Sequence, residues 1–408
     1  MRLPAIGGIL APTPVFARLV WPLSAGQLIS WGSIYYSFTL FLEPMEAELA
    51  LARTELTGAL TLGLLIAGLC SLPVGALIDK GHARLVMTLA SVLGGVLLLA
   101  WSRVETAAQF FAIWVGLGAV IAATLYEPAL AVLVRSLGGQ RKRGIATLTL
   151  IAGFASTLFI PLTHLLIEAL GWRAALMALA ALNIALAAPI HWASLGGETR
   201  SAGAGGAGLS LGQVMASALR RPVFWWLALS FTSGFVTISA VVFHAVPLLA
   251  ERGYAPALVV SALALFGPAQ VAGRFLVTVI APAMGLLATG CVALGLPLVG
   301  LLLLLLGPQG FWTIALFSIC LGFGNGIMTI VRAEALAELI GAGGFGAVNG
   351  AMNLPVTAGR ALAPAAAAAL WALSGGYETV LWALVGASLL ALLAFLAGLA
   401  AGRRAGGT

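Results

Sequence analysis

Long apolar stretches, each separated from the next by a short polar break, follow one another along almost the whole chain. A helix that crosses the ~30 Å hydrocarbon layer of a membrane needs about 20 apolar residues. Only 8% of the 408 residues are charged, whereas a soluble domain carries about 25%. The chain therefore has room for about a dozen spans and almost no extramembrane domain. This excludes soluble catalytic folds and predicts an integral, multi-pass membrane protein.

Charges, prolines and glycines divide the chain into twelve predicted helices. We place them at residues 19–42, 56–78, 85–101, 107–134, 145–169, 173–192, 223–249, 257–280, 284–306, 311–331, 345–372 and 379–399. The longest break contains a Gly-rich segment at 201–208 and separates six spans from six. The prediction is an all-α protein with an N-terminal six-helix bundle at 1–192, a linker at 193–222 and a C-terminal six-helix bundle at 223–408. Such a layout places a substrate site at the interface of the two bundles.

The basic residues are distributed unequally between the two sides of these spans. Of the twenty Lys and Arg residues, fourteen fall in loops on the side of the chain termini, four fall on the other side, and two lie inside spans. Basic residues gather in cytoplasmic loops. We therefore expect both termini and the linker to be cytoplasmic, in the inner (plasma) membrane of a bacterium. The first apolar run lacks a small-residue cleavage pattern, so we expect it to be retained as a span.

The loop between spans 2 and 3 carries a recognisable motif, Gly75-Ala-Leu-Ile-Asp79-Lys80-Gly-His82-Ala-Arg84. It resembles the G-x-L-x-D-R-x-G-x-R loop of the major facilitator superfamily, with Lys80 in place of Arg and His82 in place of Gly. The resemblance implies a secondary transporter built from two six-helix bundles.

Two further segments support the resemblance. Gly171-Trp172-Arg173 looks like a turn common in the same superfamily. The first span and the stretch from Gly116 to Gly153, with Pro128 and a basic cluster at 141–143, look most like the branch of monocarboxylate transporters and oxalate/formate antiporters.

Asp79 is the only aspartate of the chain and stands at the cytoplasmic end of span 2. It can hold cations or the N-terminus of a helix from the other bundle, and so close the inner side. We predict that Gly75, Asp79, Lys80 and Arg84 form a cytoplasmic gate. The alternative is that the charged residues only solvate an interfacial loop.

Arg360 falls near the middle of span 11, where a charge costs several kcal/mol unless it faces a cavity. Asn349, Asn353, Thr357 and Arg360 are spaced four, four and three residues apart, so they share one face of the helix. A guanidinium matches a carboxylate. We predict that Arg360 and Asn353 bind an anionic substrate. The alternative is a structural Arg bonded to carbonyls of neighbouring helices.

Gln270 and Arg274 lie four residues apart on span 8. Their position resembles the Arg that contacts the substrate anion in the monocarboxylate branch, although an Asp often stands where this chain has Gln270. Together, Arg274 and Arg360 resemble the pair of cations on spans 8 and 11 of the oxalate/formate antiporters. Arg274 is also close enough to the cytoplasmic end to snorkel toward water instead.

Other polar residues within the predicted spans are further candidates. Glu127, the only acid away from the ends of a predicted span, can cycle protons; the alternative is an ion pair with Arg84 or with the basic cluster at 141–143. Pore-lining candidates are Gln27, Trp31 and Tyr35 on one face of span 1, and Asn325 in a Gly-rich part of span 10. The aromatic residues of this face can equally serve packing, and Asn325 can hold helices together.

These features favour a secondary transporter that moves a small organic anion, a carboxylate, by proton symport or anion exchange. Efflux of amphipathic drugs or metabolites is the alternative within the same class, and a non-transporting membrane sensor is the alternative from another. We expect a monomer in the lipid bilayer with a small-molecule substrate and possible proton coupling. No catalytic, cofactor, metal or nucleic-acid motif occurs, and Cys70, Cys291 and Cys320 all lie in apolar runs.

Overall fold

The computed structural model describes residues 13–195, 211–280, 284–341 and 343–406. Within these ranges the chain is helical and contains no strand. Helices suit a membrane because each satisfies its own backbone N–H and C=O groups, which lipid cannot do. Eleven helical segments are long and apolar enough to cross a membrane, and we number them as spans 2 to 12: Thr54–Asp79, Ala83–Trp101, Ala107–Ser136, Gly138–Leu170, Trp172–Ser194, Pro222–Glu251, Pro256–Val277, Leu286–Leu306, Phe311–Leu339, Phe345–Ser374 and Tyr377–Arg403.

Span 1 is an apolar helical segment of a less regular kind. It consists of an α-helix at Pro14–Ser30, a π-helix at Trp31–Tyr36 and a second α-helix at Phe38–Leu49. With this segment the chain has the predicted twelve spans. Spans 1 to 6 pack mainly with one another, as do spans 7 to 12, and the two sets form the two bundles.

The bundles meet mainly where span 2 lies along span 11, with further contacts of span 4 to span 11 and of span 5 to spans 8 and 10. We call the side on which span 1 begins and span 2 ends the terminal side, and the opposite side the far side. One buried apolar cluster runs through the C-terminal bundle and the terminal half of the N-terminal bundle. A second cluster is confined to the far half of the N-terminal bundle. Apolar packing therefore joins the bundles on the terminal side.

Several spans are interrupted inside the membrane. Span 4 breaks at Leu125, which has an extended backbone (φ −81°, ψ −151°) between helices that end at Thr124 and begin at Tyr126. Span 5 is interrupted between Ala152 and Ala155. Span 8 consists of Pro256–Leu263 and Phe266–Ile280. Irregular backbone at membrane depth is tolerated where protein or a cavity satisfies its polar groups.

Two boundaries differ from the predictions. Span 10 continues to Leu339 instead of ending at residue 331, so Arg332 and Glu334 belong to a helix and not to a loop. Arg332 therefore no longer counts among the basic loop residues, and Glu127 is not the only acid inside a span. The region predicted as linker contains a helix at Leu211–Leu219, whereas its Gly-rich part at 201–208 lies outside the described residues.

Candidate functional site

Spans 2 and 11 touch backbone to backbone in their terminal halves. A Cβ atom added at Gly75 would collide with the carbonyl oxygen of Gly346, and one added at Gly350 would collide with the carbonyl oxygen of Ser71. Glycine is therefore needed at these positions because any side chain would separate the two helices. The contact closes the terminal side of the interface between the bundles.

Asp79 completes this contact at the end of span 2. Its two carboxylate oxygens accept hydrogen bonds from the backbone N–H groups of Gly346 (3.0 Å) and Ala347 (2.8 Å). These amides are in the first turn of span 11, where the helix dipole favours a negative charge. Arg135 Nη1 lies 3.7 Å from Asp79 Oδ1 and donates to the Ile78 carbonyl. Gly75 and Asp79 therefore lie at the contact between the two bundles, and their role as a gate remains a prediction.

Lys80 and Arg84 take other positions than the gate prediction assigned to them. Lys80 is exposed. The guanidinium of Arg84 stacks 3.6 Å from the ring centroid of Trp192 on span 6. Arg84 therefore joins spans 3 and 6 inside the N-terminal bundle, because the start of span 3 turns it away from span 11.

A buried ion pair crosses the interface deeper in the membrane. Arg332 of span 10 donates to Glu127 Oε1 of span 4 at 2.5 Å, and the amide of Asn349 donates to the other carboxylate oxygen. Arg332 is 3% exposed. The alternative that Glu127 pairs with Arg84 or with the basic cluster at 141–143 is therefore wrong. Its partner is Arg332, because the extension of span 10 brings this residue to the same depth.

Three further polar contacts cross the interface beside this pair. Asn353 Nδ2 donates to the Ser71 hydroxyl of span 2 at 2.9 Å. Lys142 of span 5 donates to the Met284 carbonyl at 2.9 Å and lies 3.6 Å from the Glu334 carboxylate. The polar residues predicted to share one face of span 11 therefore have different surroundings. Asn349 and Asn353 pack between the bundles, whereas Arg360 lies at the opposite end of the stripe.

The break in span 4 explains where Gln27 lies. Gln27 is fully buried, and its amide donates to the Thr124 carbonyl at 2.5 Å. This carbonyl precedes the extended residue Leu125, so a side chain replaces the missing helical bond. The expectation that Gln27 lines a pore together with Trp31 and Tyr35 is therefore not met by its position: Gln27 is inside the N-terminal bundle.

Arg274 lies inside the interface and not at the membrane surface. It is 5% exposed, and Nη1 donates to the Thr149 carbonyl of span 5 at 3.2 Å. A Cβ atom on Gly153 would collide with the same Nη1 atom. The glycine at the interruption of span 5 therefore makes room for the guanidinium, and this burial is inconsistent with snorkelling.

Arg360 is exposed at the other end of the polar stripe. Its guanidinium carbon lies 5.3 Å from the ring centroid of Phe235 on span 7. The charges of Arg274 and Arg360 both act on the hydroxyl group of Tyr36. Tyr36 of span 1 therefore lies within electrostatic range of two cations from the C-terminal bundle. Sequence reasoning missed Tyr36, because only the π-helix turns it toward the other bundle.

Aromatic rings surround Tyr36 on the side of the N-terminal bundle. The ring centroid of Trp31 lies 5.2 Å from Tyr35, 5.9 Å from Tyr36 and 4.9 Å from Tyr126 of span 4. Arg274 also acts electrostatically on the Tyr126 hydroxyl. Trp31 and Tyr35 were predicted to line the pore, and the structure brings them together with Tyr36 and Tyr126, which were not predicted.

Gln270 and Asn325 lie at a close contact of spans 8 and 10. A Cβ atom on Gly326 would collide with the Gln270 carbonyl oxygen, and one on Gly273 would lie 2.6 Å from the carbonyl oxygen of Phe323. Both amide side chains are half-buried. The glycines of span 10 therefore serve close helix packing, and the substrate contacts predicted for Gln270 and Asn325 remain predictions. Within the described ranges no three His, Cys, Asp or Glu side chains form a metal-binding group.

Comparisons with known proteins agree with this architecture. The human organic anion transporter MFSD10 (TETRAN) has a similar structure, with a TM-score of 0.71 and 17% identity over 94% of this chain and 100% of that one. The fucose:proton symporter of E. coli gives 0.69 and 13% identity over 95% and 97% of the two chains. The proton:xylose symporter XylE gives 0.67 and 12% identity over 94% and 95%. These identities support a shared fold alone.

No curated protein sequence matches the chain. The sequence profile of the Major Facilitator Superfamily, however, matches residues 23–364. This match includes the whole gate and site region, from the aromatic cluster of span 1 to Arg360. The two six-helix bundles and the profile lead to one conclusion: the chain belongs to the Major Facilitator Superfamily and is a multi-pass membrane protein of the secondary transporter type.

Proposed function

We propose that this protein moves a small organic anion, a carboxylate, across the plasma membrane by alternating access at a site between its two bundles. The observation that carries the proposal is the position of Arg274, which is buried between the bundles and donates to the Thr149 carbonyl of span 5, with Arg274 and Arg360 both within electrostatic range of Tyr36. The two cations come from different spans of the C-terminal bundle, and Tyr36 comes from the N-terminal bundle. A ligand held by all three would therefore contact both moving parts.

The chemistry of the two arginines favours an anion. A guanidinium within a membrane is costly unless it has a partner, and a carboxylate matches its planar fork of donors. Arg274 already gives one donor to the Thr149 carbonyl, which orients the group. Arg360 packs near the Phe235 ring and remains exposed, so its donors are accessible to a ligand.

The contacts between the bundles support alternating access. The gate of Gly75 and Asp79 and the pair of Glu127 and Arg332 hold the terminal side closed. Transport requires these contacts to break and the far side to close in turn. With the termini in the cytoplasm, this arrangement is the outward-facing state. Of the similar structures, one is described as an organic anion transporter and two as proton symporters.

Both coupling modes are compatible with the position of Glu127. Its two oxygens accept hydrogen bonds from Arg332 and Asn349 in the closed arrangement. A dependence of uptake on an imposed pH gradient would indicate symport. Uptake driven only by internal anion would indicate exchange.

The test uses purified protein and a panel of labelled carboxylates in proteoliposomes. Losing one charge-assisted contact costs about 1.5–3 kcal/mol, or about ten- to hundredfold in affinity. We expect Arg360→Gln and Arg274→Gln each to lose carboxylate counterflow by this factor, and Arg360→Lys to retain part of it. Arg103→Gln, which removes an exposed Arg from the loop after span 3, is the matched control. Equal counterflow in wild type and both Gln variants would contradict the proposal.

A further inference from the structure

We propose that the transported anion is an aromatic monocarboxylate, whose ring lies against the aromatic cluster of Trp31, Tyr35, Tyr36 and Tyr126. This inference rests on the proposed function and adds the chemical class of the rest of the ligand, which is an aromatic ring attached to the carboxylate. Its basis is a four-ring aromatic surface from spans 1 and 4. Arg274 of span 8 is buried between the bundles, and Arg274 and Arg360 both act electrostatically on Tyr36 of this surface.

The π-helix is what assembles the aromatic surface. In an α-helix each residue turns by about 100°, so side chains five positions apart point ~140° away from each other. A π-helix forms i→i+5 hydrogen bonds and brings such residues together. Trp31 and Tyr36 are five apart, and their ring centroids lie 5.9 Å from each other. π-Helical turns inside α-helices often mark functional sites.

The rings remain accessible although they lie deep in the protein. Trp31, Tyr35, Tyr36 and Tyr126 are each half-buried. Arginines of the opposite bundle act electrostatically on Tyr36. The apolar clusters join the bundles on the terminal side, whereas the far half of the N-terminal bundle packs by itself. The proposal therefore places the entry of the ligand on the far side.

The chemistry selects one kind of anion for this space. The negative faces and positive edges of aromatic rings favour edge-to-face and offset contacts with another ring. A carboxylate at one end of the ligand pairs with Arg274 and Arg360. A second carboxylate at the other end would lie on the aromatic cluster, where it would lose water without gaining a cation. The site therefore favours an aromatic monocarboxylate over an aliphatic dicarboxylate.

The experiment compares benzoate with cyclohexanecarboxylate, which has the same number of carbons and the same charge but no π system. Ligand-induced thermal stabilisation of the purified full-length protein is titrated at a pH where both acids are ionised, with succinate and uncharged benzamide as further ligands. Aromatic pairs are worth enough beyond their buried area to predict about two- to tenfold tighter binding of benzoate than of cyclohexanecarboxylate. Succinate and benzamide should bind more weakly than either.

Variants of the aromatic cluster test whether its rings cause the preference for benzoate over cyclohexanecarboxylate. Trp31→Leu and Tyr36→Leu keep an apolar side chain but remove a ring, so the ratio of benzoate affinity to cyclohexanecarboxylate affinity should fall to about one. Tyr36→Phe should keep the wild-type ratio because the ring remains. Phe243→Leu is the matched control, since Phe243 is 71% exposed on span 7 and lies outside the cluster; it should behave as wild type. Counterflow of labelled benzoate in each variant provides a second readout if one Leu variant does not fold.

The outcomes distinguish the two proposals. If no carboxylate stabilises the wild type, both the proposed function and this inference fail. If benzoate and cyclohexanecarboxylate bind equally, or if the preference persists in Trp31→Leu and Tyr36→Leu, the anion site stands and the aromatic class is wrong. A preference in wild type, Tyr36→Phe and Phe243→Leu that is lost in the two Leu variants supports the inference.

Discussion

Glu127 and Arg332 are the residues whose contact depends most on the conformation of the two bundles. Arg332 is buried and Glu127 is half-buried, and each is the other's charged partner across the interface. Removing one member of such a pair is costly because the remaining charge stays buried. The same pair would be hydrated if the terminal side opened. These two residues therefore favour the closed arrangement only as long as both are present.

The first prediction concerns this pair. Glu127→Gln and Arg332→Gln should each destabilise the protein, by about 3–5 kcal/mol where the remaining charge stays buried, and the double variant should recover part of the loss. The measurement is thermal melting of the purified protein, read as a double-mutant cycle with a coupling of about 1–3 kcal/mol. Glu378→Gln, an exposed acid at the start of span 12, is the control. Additive losses in the double variant would show that the pair is not coupled.

At the scale of elements, glycine contacts and helix interruptions place the functional groups. Spans 2 and 11 approach closely enough for backbone contact at Gly75 and Gly350. The break at Leu125 places Tyr126 and Glu127 at the start of a new helix. The π-helix of span 1 presents Trp31 and Tyr36 together. Each irregularity stands next to a residue of the proposed site or gate.

Gly75→Ala tests the backbone contact of spans 2 and 11. The added methyl group would meet the Gly346 carbonyl oxygen, and backbone cannot move away as a side chain can. We expect turnover to fall and the amides of residues 345–350 to exchange hydrogen for deuterium faster than in wild type. Gly295→Ala is the matched control, because a Cβ atom there meets nothing within 4 Å. Unchanged exchange and turnover in Gly75→Ala would disprove the contact.

Asp79→Asn tests the charge at the same helix end. A negative charge at a helix N-terminus contributes about 0.3–1 kcal/mol, and up to about 2 kcal/mol where it is partly buried. Turnover should therefore fall several-fold while carboxylate affinity stays nearly constant, because the change alters the balance of two states and not the site. Glu55→Gln is the control: Glu55 accepts from the Ala52 N–H at 2.8 Å at the far end of span 2. Wild-type turnover in Asp79→Asn would rule out the gate.

At the scale of the whole molecule, the polar contacts described between the two bundles are on the terminal side. The polar contacts between the bundles described above all lie in the terminal halves of the spans, from Asp79 to Lys142 and Arg332. Arg360 lies in the far half of span 11, beyond these contacts. With cytoplasmic termini, which the positive-inside rule predicts, this asymmetry predicts a site that faces the external solution.

Orientation is testable with single cysteines in a variant without Cys70, Cys291 and Cys320. We expect Ser217→Cys, on the exposed face of the helix Leu211–Leu219, to react with an impermeant thiol reagent only after cells are permeabilised, because the basic loops belong in the cytoplasm. Arg103→Cys, in the exposed turn after span 3, should react in intact cells. The reverse pattern would place the termini outside and make the observed state inward-facing.

The sequence alone determined the span count, the two-bundle division and the superfamily. The length of each apolar stretch, the unequal distribution of basic residues and the loop motif around Asp79 are local properties that can be recognised without the tertiary structure. It also singled out Arg274, Arg360, Glu127 and Trp31, since a charge or a polar aromatic inside a span is conspicuous in an apolar chain. Periodicity could not show a π-helix or the break at Leu125, so it grouped Gln27 with Trp31 and overlooked Tyr36.

Only the tertiary structure decided which residues meet. The partner of Glu127 is 205 positions away on span 10, and the partner of Asp79 is the start of span 11. Such pairs depend on the packing of two bundles, which leaves no local signal in the chain. Arg84, next to the gate in sequence, instead stacks on Trp192 of its own bundle. The chain is helical because backbone N–H and C=O groups in lipid must be hydrogen-bonded within the protein. The site depends instead on contacts between spans that are distant in the chain.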